Sequence, residues 1–315
     1  MRDMADDFTF RAMRPDEHGL VAEVIYQSIR QWYGAHGRPG RFPAGAASCL
    51  LFPEVYEEMD PGCCVVAEDR GNGRLAGSCF YHRRPTHVSL GIMNAHPDYF
   101  GRGVARSLLQ YVCDLADREN KPVRLVSSAL NLDSFSLYTR AGFTARAVFH
   151  DMMVRVPDQG FPAAFAGAAM ERVRDARPDD AAAMAELEWE LCGIRREQDY
   201  RYIIENRRGI WHASVIESAA GNIDGFLVSV QHPASNMLGP GVMRTEAAAA
   251  AVILAELNHN RGRSPVLVVP AACGGLVQRL YGWGLRNCEI HLFQARGQAA
   301  AFRGVVMPTF FPETG

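Results

Sequence analysis

Hydrophobic and polar positions recur with clear periods along most of the chain, and they predict strands alternating with helices. Apolar positions that alternate indicate strands, and apolar positions that return every three or four residues indicate amphipathic helices. Asn72-Gly73 favours a tight hairpin between two of the strands. In the first half, the pattern predicts strands at 8–13, 63–68, 75–82, 88–95, 123–127 and 143–156, and helices from about 14 to 30, 46 to 59, 104 to 120 and 133 to 141.

The stretch between the strand at 88–95 and the helix that begins at Val104 is rich in glycine. The first turn of a helix offers unpaired backbone N–H groups and the positive end of the helix dipole. Gly101, Gly103 and Ala105 leave space for an anion to approach these amides, and Arg102 and Arg106 add positive charge. The turn therefore suits a diphosphate, although Gly-x-Gly-x-Ala by itself is equally compatible with a flexible turn before a helix.

A second motif follows the strand at 123–127. It reads Asn131-Leu-Asp-Ser134-Phe-Ser-Leu-Tyr138-Thr-Arg-Ala-Gly142-Phe143. Asp133 is predicted to cap its short helix and Gly142 to end it. In order and spacing, residues 95–143 resemble the GNAT superfamily of acyl-CoA-dependent N-acyltransferases.

The resemblance implies an α/β fold of the α+β type, in which a mixed, mostly antiparallel sheet is flanked by helices. It implies acetyl-CoA, or another short acyl-CoA, as the co-substrate and an amine as the acceptor. One departure is Phe100, where the family usually has Gln or Arg. The residues implied to contact the cofactor are Met93, Asn94, Ala95, Phe100, Gly101, Arg102, Gly103, Val104, Ala105, Arg106, Asn131 and Ser134.

Acyl transfer needs a neutral amine, donors for the oxyanion and a proton for the leaving thiolate. The resemblance implies that Tyr138 supplies this proton. A phenol ionises near pH ~10 and a thiol near ~8.5, so a Tyr hydroxyl is still protonated at neutral pH. Backbone N–H groups of residues 93–95 are expected to serve the oxyanion and the pantetheine arm, with a β-bulge opening the strand.

The general base and the acceptor stay open at this level. The candidates for the base are His82, His87 and Glu68, each equally compatible with a structural role. The acceptor is a small molecule or a peptide that carries an amine. An acidic and aromatic group could attract such a cation, but these residues also suit a solvated helix face. The group consists of Trp32, Tyr33, His36, Glu54, Glu57 and Glu58.

The chain contains an internal repeat of domain size. Arg11-Ala-Met-Arg14-Pro15-Asp16-Glu17 returns 163 residues later as Arg174-Asp-Ala-Arg177-Pro178-Asp179-Asp180. Pro, Gly, Ala and Phe without a period at 157–169 indicate a linker. We therefore predict two tandem GNAT-type domains, a catalytic domain at 1–156 and a second at 171–315, joined by a linker at 157–170.

The second copy is predicted to be degenerate. Residues 238–243, Leu-Gly-Pro-Gly-Val-Met, are predicted to form its glycine-rich turn, before a helix at 244–258. Pro240 lacks the amide hydrogen that a diphosphate would need. Further elements are predicted as a helix at 184–192 and strands at 212–218, 224–230 and 265–269. Residues 276–285 echo the segment from Leu137 to Phe143.

Composition excludes several classes of protein. A net charge of −2 with 22% charged residues argues against non-specific nucleic-acid binding. The eight cysteines lack metal-ligand spacing, so free thiols in a reducing compartment and no metal are expected. The longest apolar run, 247–255, is too short to cross a membrane, and residues 1–7 lack a signal-peptide core, so a cytoplasmic location is expected.

Two other classes of protein share some of these sequence features. A non-catalytic acyl-CoA-binding module, acting through a partner or a dimer interface, remains open, as does a homodimer. A Rossmann-type dinucleotide protein is disfavoured, because the first strand is not followed by the glycine-rich turn.

Overall fold

The computed structural model describes residues 7–309 and residue 311. These residues form two compact units, which are described separately. The first unit comprises residues 7–83 and 87–123, and the second comprises residues 84–86, 124–309 and 311.

The first unit is an antiparallel sheet with three helices. Its strands follow the order β1-β2-β3-β4, and each neighbouring pair is antiparallel. The elements are β1 (Phe8–Ala12), α1 (His18–Ala35), α2 (Leu51–Met59), β2 (Cys64–Asp69), β3 (Leu75–Arg83), β4 (Val88–Ala95) and α3 (Val104–Arg118). These bounds confirm the predicted elements, and β4 has the predicted limits.

Helix α3 packs as its periodicity predicts. Its apolar positions are buried and form one stripe: Val104, Leu108, Leu109, Val112 and Ala116. The strand beneath it has glycine at position 77, where a Cβ atom would stand 2.7 Å from a methyl carbon of Val104. Gly77 therefore lets the first turn of α3 approach the sheet closely.

The second unit contains a larger sheet. Its order is β5-β12-β6-β11-β10-β9-β8-β7, and β13 pairs with β10. Its elements are β5 (Val123–Ser128, with Val123 at the unit boundary), α4 (Leu132–Arg140), β6 (Thr144–Met153), β7 (Val173–Asp175), α5 (Asp180–Cys192), α6 (Glu197–Glu205), β8 (Trp211–Glu217), β9 (Ile223–His232), β10 (Ser235–Met243), α7 (Glu246–His259), β11 (Val266–Pro270), α8 (Gly274–Gly282), β12 (Arg286–Arg296) and β13 (Val305–Met307).

The order of elements repeats along the chain. From β1 to β6 the order is β-α-α-β-β-β-α-β-α-β, and from β7 to β12 it is the same. The predicted repeat is therefore present in the structure. The predicted boundaries at 156 and 171 stay a prediction.

The last strand of each repeat pairs with strands of the other repeat. Strand β6 lies between β12 and β11, and both of these pairings are antiparallel. Strand β12 in turn lies beside β5, where the backbone N–H of Ala129 donates to the carbonyl of Ile290 at 2.9 Å. The second unit thus contains strands from both repeats.

Helix α7 is buried on nearly every face. Residues 248–254 of this helix are all 0–4% exposed, and four of them are alanines. A helix that is apolar all round belongs inside a core. Here it packs with Met152 of β6, Leu227 of β9 and Leu267 of β11.

Two predictions were wrong in detail, and three elements were not predicted. Residues 238–243 are not a turn but belong to β10, because the residues on both sides of Pro240 pair with β9. The N-cap of α4 is Asn131 and not Asp133, since the Asn131 side chain accepts the N–H of Ser134 at 2.9 Å. Helix α6 and strands β12 and β13 carried no sequence prediction.

All eight cysteines are free, as predicted, and seven of them are buried. Burial in apolar surroundings raises the pKa of the Cys49 thiol to about 12. The thiol of Cys64 also has a raised pKa, chiefly because it is buried. These cysteines act as small apolar core residues.

Candidate functional site

The turn between β4 and α3 spans residues 96–103. A short 3₁₀ turn, Pro97–Tyr99, occupies its first half. Gly101 and Gly103 follow with φ angles of +77° and +81°, which lie in the left-handed region that glycine adopts without strain. Gly103 is the N-cap of α3, and it has no side chain with which to cap the helix.

The backbone of this turn is open. A Cβ atom built on Gly101 or Gly103 would meet no atom of the described residues within 4 Å. Within the part of the chain that the structure describes, no acceptor is recorded for the amides of Gly101, Gly103, Val104 and Ala105. Unpaired N–H groups at the positive end of a helix dipole attract an anion.

The turn is held by the hairpin between β2 and β3. The Asn72 side chain donates to the Tyr99 hydroxyl at 3.3 Å, and Arg74 donates to Asp98 at 3.1 Å. Tyr99 is 3% exposed and so anchors the turn in the core. Sequence reasoning used Asn72 as a turn former only and missed this second role.

Arg102 is engaged within the first unit. Its guanidinium carbon lies 5.0 Å from the ring centroids of both Phe8 and Tyr99, and its Nη1 lies 3.8 Å from a carboxylate oxygen of Asp69. An N–H of Gly71 donates to this carboxylate and holds the pKa of Asp69 below its usual range. The side chain of Arg102 therefore braces the turn, while Arg106 and Phe100 are exposed.

Strand β4 contains a bulge just before Met93. Leu90 pairs with Tyr81 and Met93 pairs with Cys79, so β4 has one extra residue at 91–92. The predicted bulge is therefore present, and Met93, Asn94 and Ala95 follow it. Asn94 is 7% exposed, and within residues 7–309 and 311 no partner is recorded for its Nδ2 atom.

The remaining predicted residues belong to the second unit. Asn131 uses its side-chain oxygen to cap α4, and the amide of Ser134 is the group that it caps. Tyr138 lies in the last turn of α4, two residues before its end, and is 7% exposed. Its ring packs against Phe143 with the centroids 5.8 Å apart. The structure thus groups residues 93–106 in one unit, and Asn131, Ser134 and Tyr138 in the other.

The candidates for a general base have structural contacts. Glu68 accepts a hydrogen bond from Arg11 at 2.9 Å. The His82 ring is completely buried, with its Nδ1 atom 2.6 Å from Asp60. His87 is also completely buried. We therefore assign no base among these three residues.

The acidic and aromatic group at α1 and α2 also makes contacts of its own. Trp32 stacks on His36 with ring centroids 4.1 Å apart. Arg41 lies 4.3 Å from the centroid of Tyr33 and so adds a positive charge to the group. Glu57 accepts the N–H of Gly62 at 2.7 Å.

The second repeat lacks the turn altogether. Only Arg244 and Thr245 separate β10 from α7. Thr245 caps α7, because its hydroxyl oxygen accepts the N–H of Ala248 at 3.1 Å. The first residue of the helix is the acidic Glu246. The helix start of the second repeat is therefore unsuited to an anion.

Glycines 239 and 241 mark a bulge in the second repeat. Leu238 pairs with Ser229 and Gly241 pairs with Leu227, so β10 has one extra residue at 239–240. This bulge lies as far from the end of β10 as the bulge at 91–92 lies from the end of β4. The second repeat therefore has a bulge like that of the first repeat but not its glycine-rich turn.

Comparison with protein families gives one match within the chain. Residues 26–143 match the model of the Acetyltransferase (GNAT) family. A Bacillus subtilis (strain 168) protein described as UPF0157 protein YqkA is 36% identical over 74 residues. That alignment covers 24% of this chain and 21% of the relative, so the chain spans about a fifth of that protein's length.

Several solved structures share the fold over nearly the whole chain. A putative acetyltransferase from Pyrococcus horikoshii has a TM-score of 0.74 at 15% identity, covering 98% of this chain and 96% of that one. A GCN5-related N-acetyltransferase from Sphaerobacter thermophilus has a TM-score of 0.63 at 19% identity, with coverages of 96% and 99%. A tandem GNAT protein from the clavulanic acid biosynthesis pathway has a TM-score of 0.59 at 17% identity, with coverages of 93% and 100%.

Two further features bear on the class of site. Within residues 7–309 and 311, no three His, Cys, Asp or Glu side chains are grouped so that they could hold a metal ion. No helix among these residues is both long and apolar enough to cross a bilayer.

Proposed function

Residues 26–143 match the model of the Acetyltransferase (GNAT) family, and from this premise we propose that the protein is a GNAT acetyltransferase that transfers an acetyl group from acetyl-CoA to an amine. The family's fold implies acyl-CoA-dependent acyl transfer, and the fold consists of two tandem GNAT-type copies. The observation that carries the proposal is the open turn at Gly101–Gly103, with four amides for which no acceptor is recorded in the described part of the chain.

The amides of Gly101, Gly103, Val104 and Ala105 would hold the diphosphate. The turn fits this group because, among the described residues, nothing covers the amides beside its glycines and no side chain caps the helix. Backbone donors of this kind bind phosphate oxygens without needing a basic side chain. Phe100 in place of a polar residue is compatible with this, since the main chain supplies the donors.

The bulge in β4 would present backbone N–H groups of Met93 to Ala95 to the pantetheine arm and to the developing oxyanion. A bulge frees donors that regular pairing would use. The Nδ2 atom of Asn94, which has no recorded partner among residues 7–309 and 311, would add a side-chain donor there. Asn131 and Ser134 are proposed as further contacts at the start of α4.

Tyr138 is proposed as the general acid. Acetyl-CoA supplies the acyl group as a thioester, and the departing thiolate needs a proton. The phenol of Tyr138 is held by its packing on Phe143 near the end of α4. Its hydroxyl would donate the proton and recover one from solvent afterwards.

We propose one cofactor per chain, bound by the first repeat. Titration calorimetry of the full-length protein with acetyl-CoA tests this, and the expected stoichiometry is one. Release of free CoA should then be followed with a panel of amines, including small polyamines and peptides. Binding without turnover on any acceptor would favour a non-catalytic acyl-CoA-binding module, and absence of binding would overturn both.

A further inference from the structure

We propose that a cavity in the second unit binds the carboxylate of a small organic acid through Arg124. This site goes beyond the acyl transfer proposed above, because all the residues that line it belong to residues 124–309. The cavity lies among β5, β6, β12 and the segment around β13. Among its lining residues are Arg124, Phe149, Phe293, Phe302 and Thr309.

Arg124 is a buried cation without a hydrogen-bond acceptor in the described part of the chain. The residue is 4% exposed, and its Nε atom is buried with no partner. The guanidinium carbon lies 4.4 Å from the ring centroid of Phe293 and 5.8 Å from that of Phe302. Burial lowers the pKa of Arg124 to about 10, so the side chain still carries its charge at neutral pH.

Glu188 and Arg196 also line the cavity and are paired with one another. Arg196 donates to Glu188 with nitrogen–oxygen distances of 2.8 to 3.2 Å. Arg84 and Asp199 form a second buried pair, with an Nη2–Oδ1 distance of 2.6 Å. Burial raises the pKa of the nearby Cys192 thiol, which therefore stays neutral. Among Arg84, Arg124, Glu188, Arg196 and Asp199, the other four form two ion pairs. Arg124 is therefore the one positive charge of this set that has no negative partner within it.

An uncompensated buried charge is unfavourable, and an anion in the cavity would compensate it. A guanidinium presents parallel N–H donors that match the two oxygens of a carboxylate. Ring contacts do not use these in-plane donors. A water molecule could fill the space, but it would leave the charge without a counter-ion.

The size of the cavity limits the ligand. The space open to the centre of a water molecule is about 20 Å³, and one water needs roughly 10–15 Å³ on this measure. The cavity is therefore small, which favours the smallest carboxylates, formate and acetate, over branched acids such as pivalate. Val126, Phe302 and Pro308 are the lining residues that keep partial exposure.

The test uses the full-length protein in a zwitterionic buffer, with ionic strength held constant by sodium methanesulfonate. Sodium formate, acetate, pivalate and chloride are titrated while the melting temperature is recorded. Line broadening of ¹³C-labelled acetate reports binding directly. Formate and acetate should raise the melting temperature in a saturable way, as expected for ligands that bind only the folded state. Pivalate should not.

Arg124→Met removes the charge and keeps the length of the side chain, and it should weaken acetate binding at least tenfold. Arg279→Met is the matched control, since Arg279 is exposed on α8, and it should leave acetate binding unchanged. Arg124→Lys keeps the charge without the paired donors and should bind acetate more weakly than the wild type. If Arg124→Met does not fold, the Arg124→Lys variant and the comparison of acetate with pivalate still test whether Arg124 binds a small carboxylate.

Three results would overturn the proposal. The first is no saturable response to formate or acetate, which would leave water as the occupant. The second is an equal response to chloride or to pivalate, which would mean an adventitious anion only. The third is a response that Arg124→Lys and Arg124→Met leave unchanged.

Discussion

Arg11 holds Glu17 through two hydrogen bonds of 2.6 and 2.7 Å, and the protein builds the same pair again 163 residues later. There Arg174 holds Asp180 at 2.7 and 2.9 Å. In both places the carboxylate also accepts the backbone N–H of the residue three positions before it, at 2.8 and 2.7 Å. The sequence repeat is therefore a repeat of the contacts that join the first strand of each copy to its first helix.

Removing either carboxylate should destabilise the protein. Glu17→Gln and Asp180→Asn each lose charge-assisted hydrogen bonds, worth about 1–3 kcal/mol. Urea unfolding at neutral pH measures this. Asp16→Asn is the matched control, because Asp16 is exposed beside Glu17, and its unfolding free energy should change by less than about 0.5 kcal/mol.

These pairs also predict sensitivity to acid. The hydrogen bond from Arg11 holds the pKa of Glu17 below its usual range, and Arg174 does the same for Asp180. A carboxyl group whose pKa is lowered in the folded state contributes its full stabilisation above its unfolded pKa of about 4. This stabilisation is lost as the pH falls through the pKa of the folded state. The wild type should therefore lose more stability between pH 6 and pH 3 than Glu17→Gln does. Equal losses would contradict the prediction.

The role proposed for the open turn in acetyl-CoA binding can be tested with a matched pair of glycine variants. Gly103→Ala places a methyl group in the space above the amides and should weaken acetyl-CoA binding at least tenfold, as calorimetry would measure. Gly221→Ala is the control, since Gly221 has φ of +82° against +81° and equally open surroundings. In both variants the alanine has to adopt a positive φ, which costs the same roughly 1–2 kcal/mol of conformational strain. Only Gly103→Ala should lose affinity.

The role proposed for Tyr138 predicts a change in kcat without a change in binding. Tyr138→Phe keeps the ring that packs on Phe143 and removes the proton donor, so kcat should fall about 10²-fold or more. The dissociation constant of acetyl-CoA should stay within about twofold. Tyr281→Phe, in the corresponding helix α8 of the second repeat, should leave kcat unchanged. Full activity of Tyr138→Phe would remove Tyr138 as the acid.

The buried carboxylate of Glu256 gives a prediction for the second unit. It is 0% exposed and accepts hydrogen bonds from Ser214 at 2.6 Å, Ser229 at 2.5 Å and His212 at 2.9 Å. Glu256→Gln should cost about 3 kcal/mol or more of unfolding free energy, because it leaves donors unsatisfied. The exposed Glu171→Gln is the control and should cost little.

His212 makes this contribution depend on pH. Burial acts to lower the pKa of His212, but the hydrogen bond and charge of Glu256 outweigh burial, and the pKa is raised. The contribution of protonated His212 to stability is complete below its unfolded pKa of about 6.5. This contribution is lost as the pH rises through the pKa that His212 has in the folded protein. Unfolding at pH 6 and pH 9 should show this loss in the wild type and a smaller one in Glu256→Gln.

The sequence alone determined the elements whose signals are local. Strand β4, its glycine turn and helix α3 follow from periodicity and from glycines that must adopt positive φ, and both depend on neighbours within a few residues. The repeat was equally visible, since Arg11 and Arg174 occur in the same pattern. The N-cap was assigned to Asp133, two residues too late, because two polar residues competed for one helix start.

Only the tertiary structure decided the features that join distant segments. Residues 239–241 have the composition of a turn, yet pairing with β9 makes them a bulge. The exchange of β6 and β12 between repeats has no local pattern, because strand partners are chosen by packing across more than a hundred residues. In the sequence, Arg124 is a single charged residue within a predicted strand. Its burial without an acceptor in the described chain appears only when β5, β12 and the segment before β13 fold together.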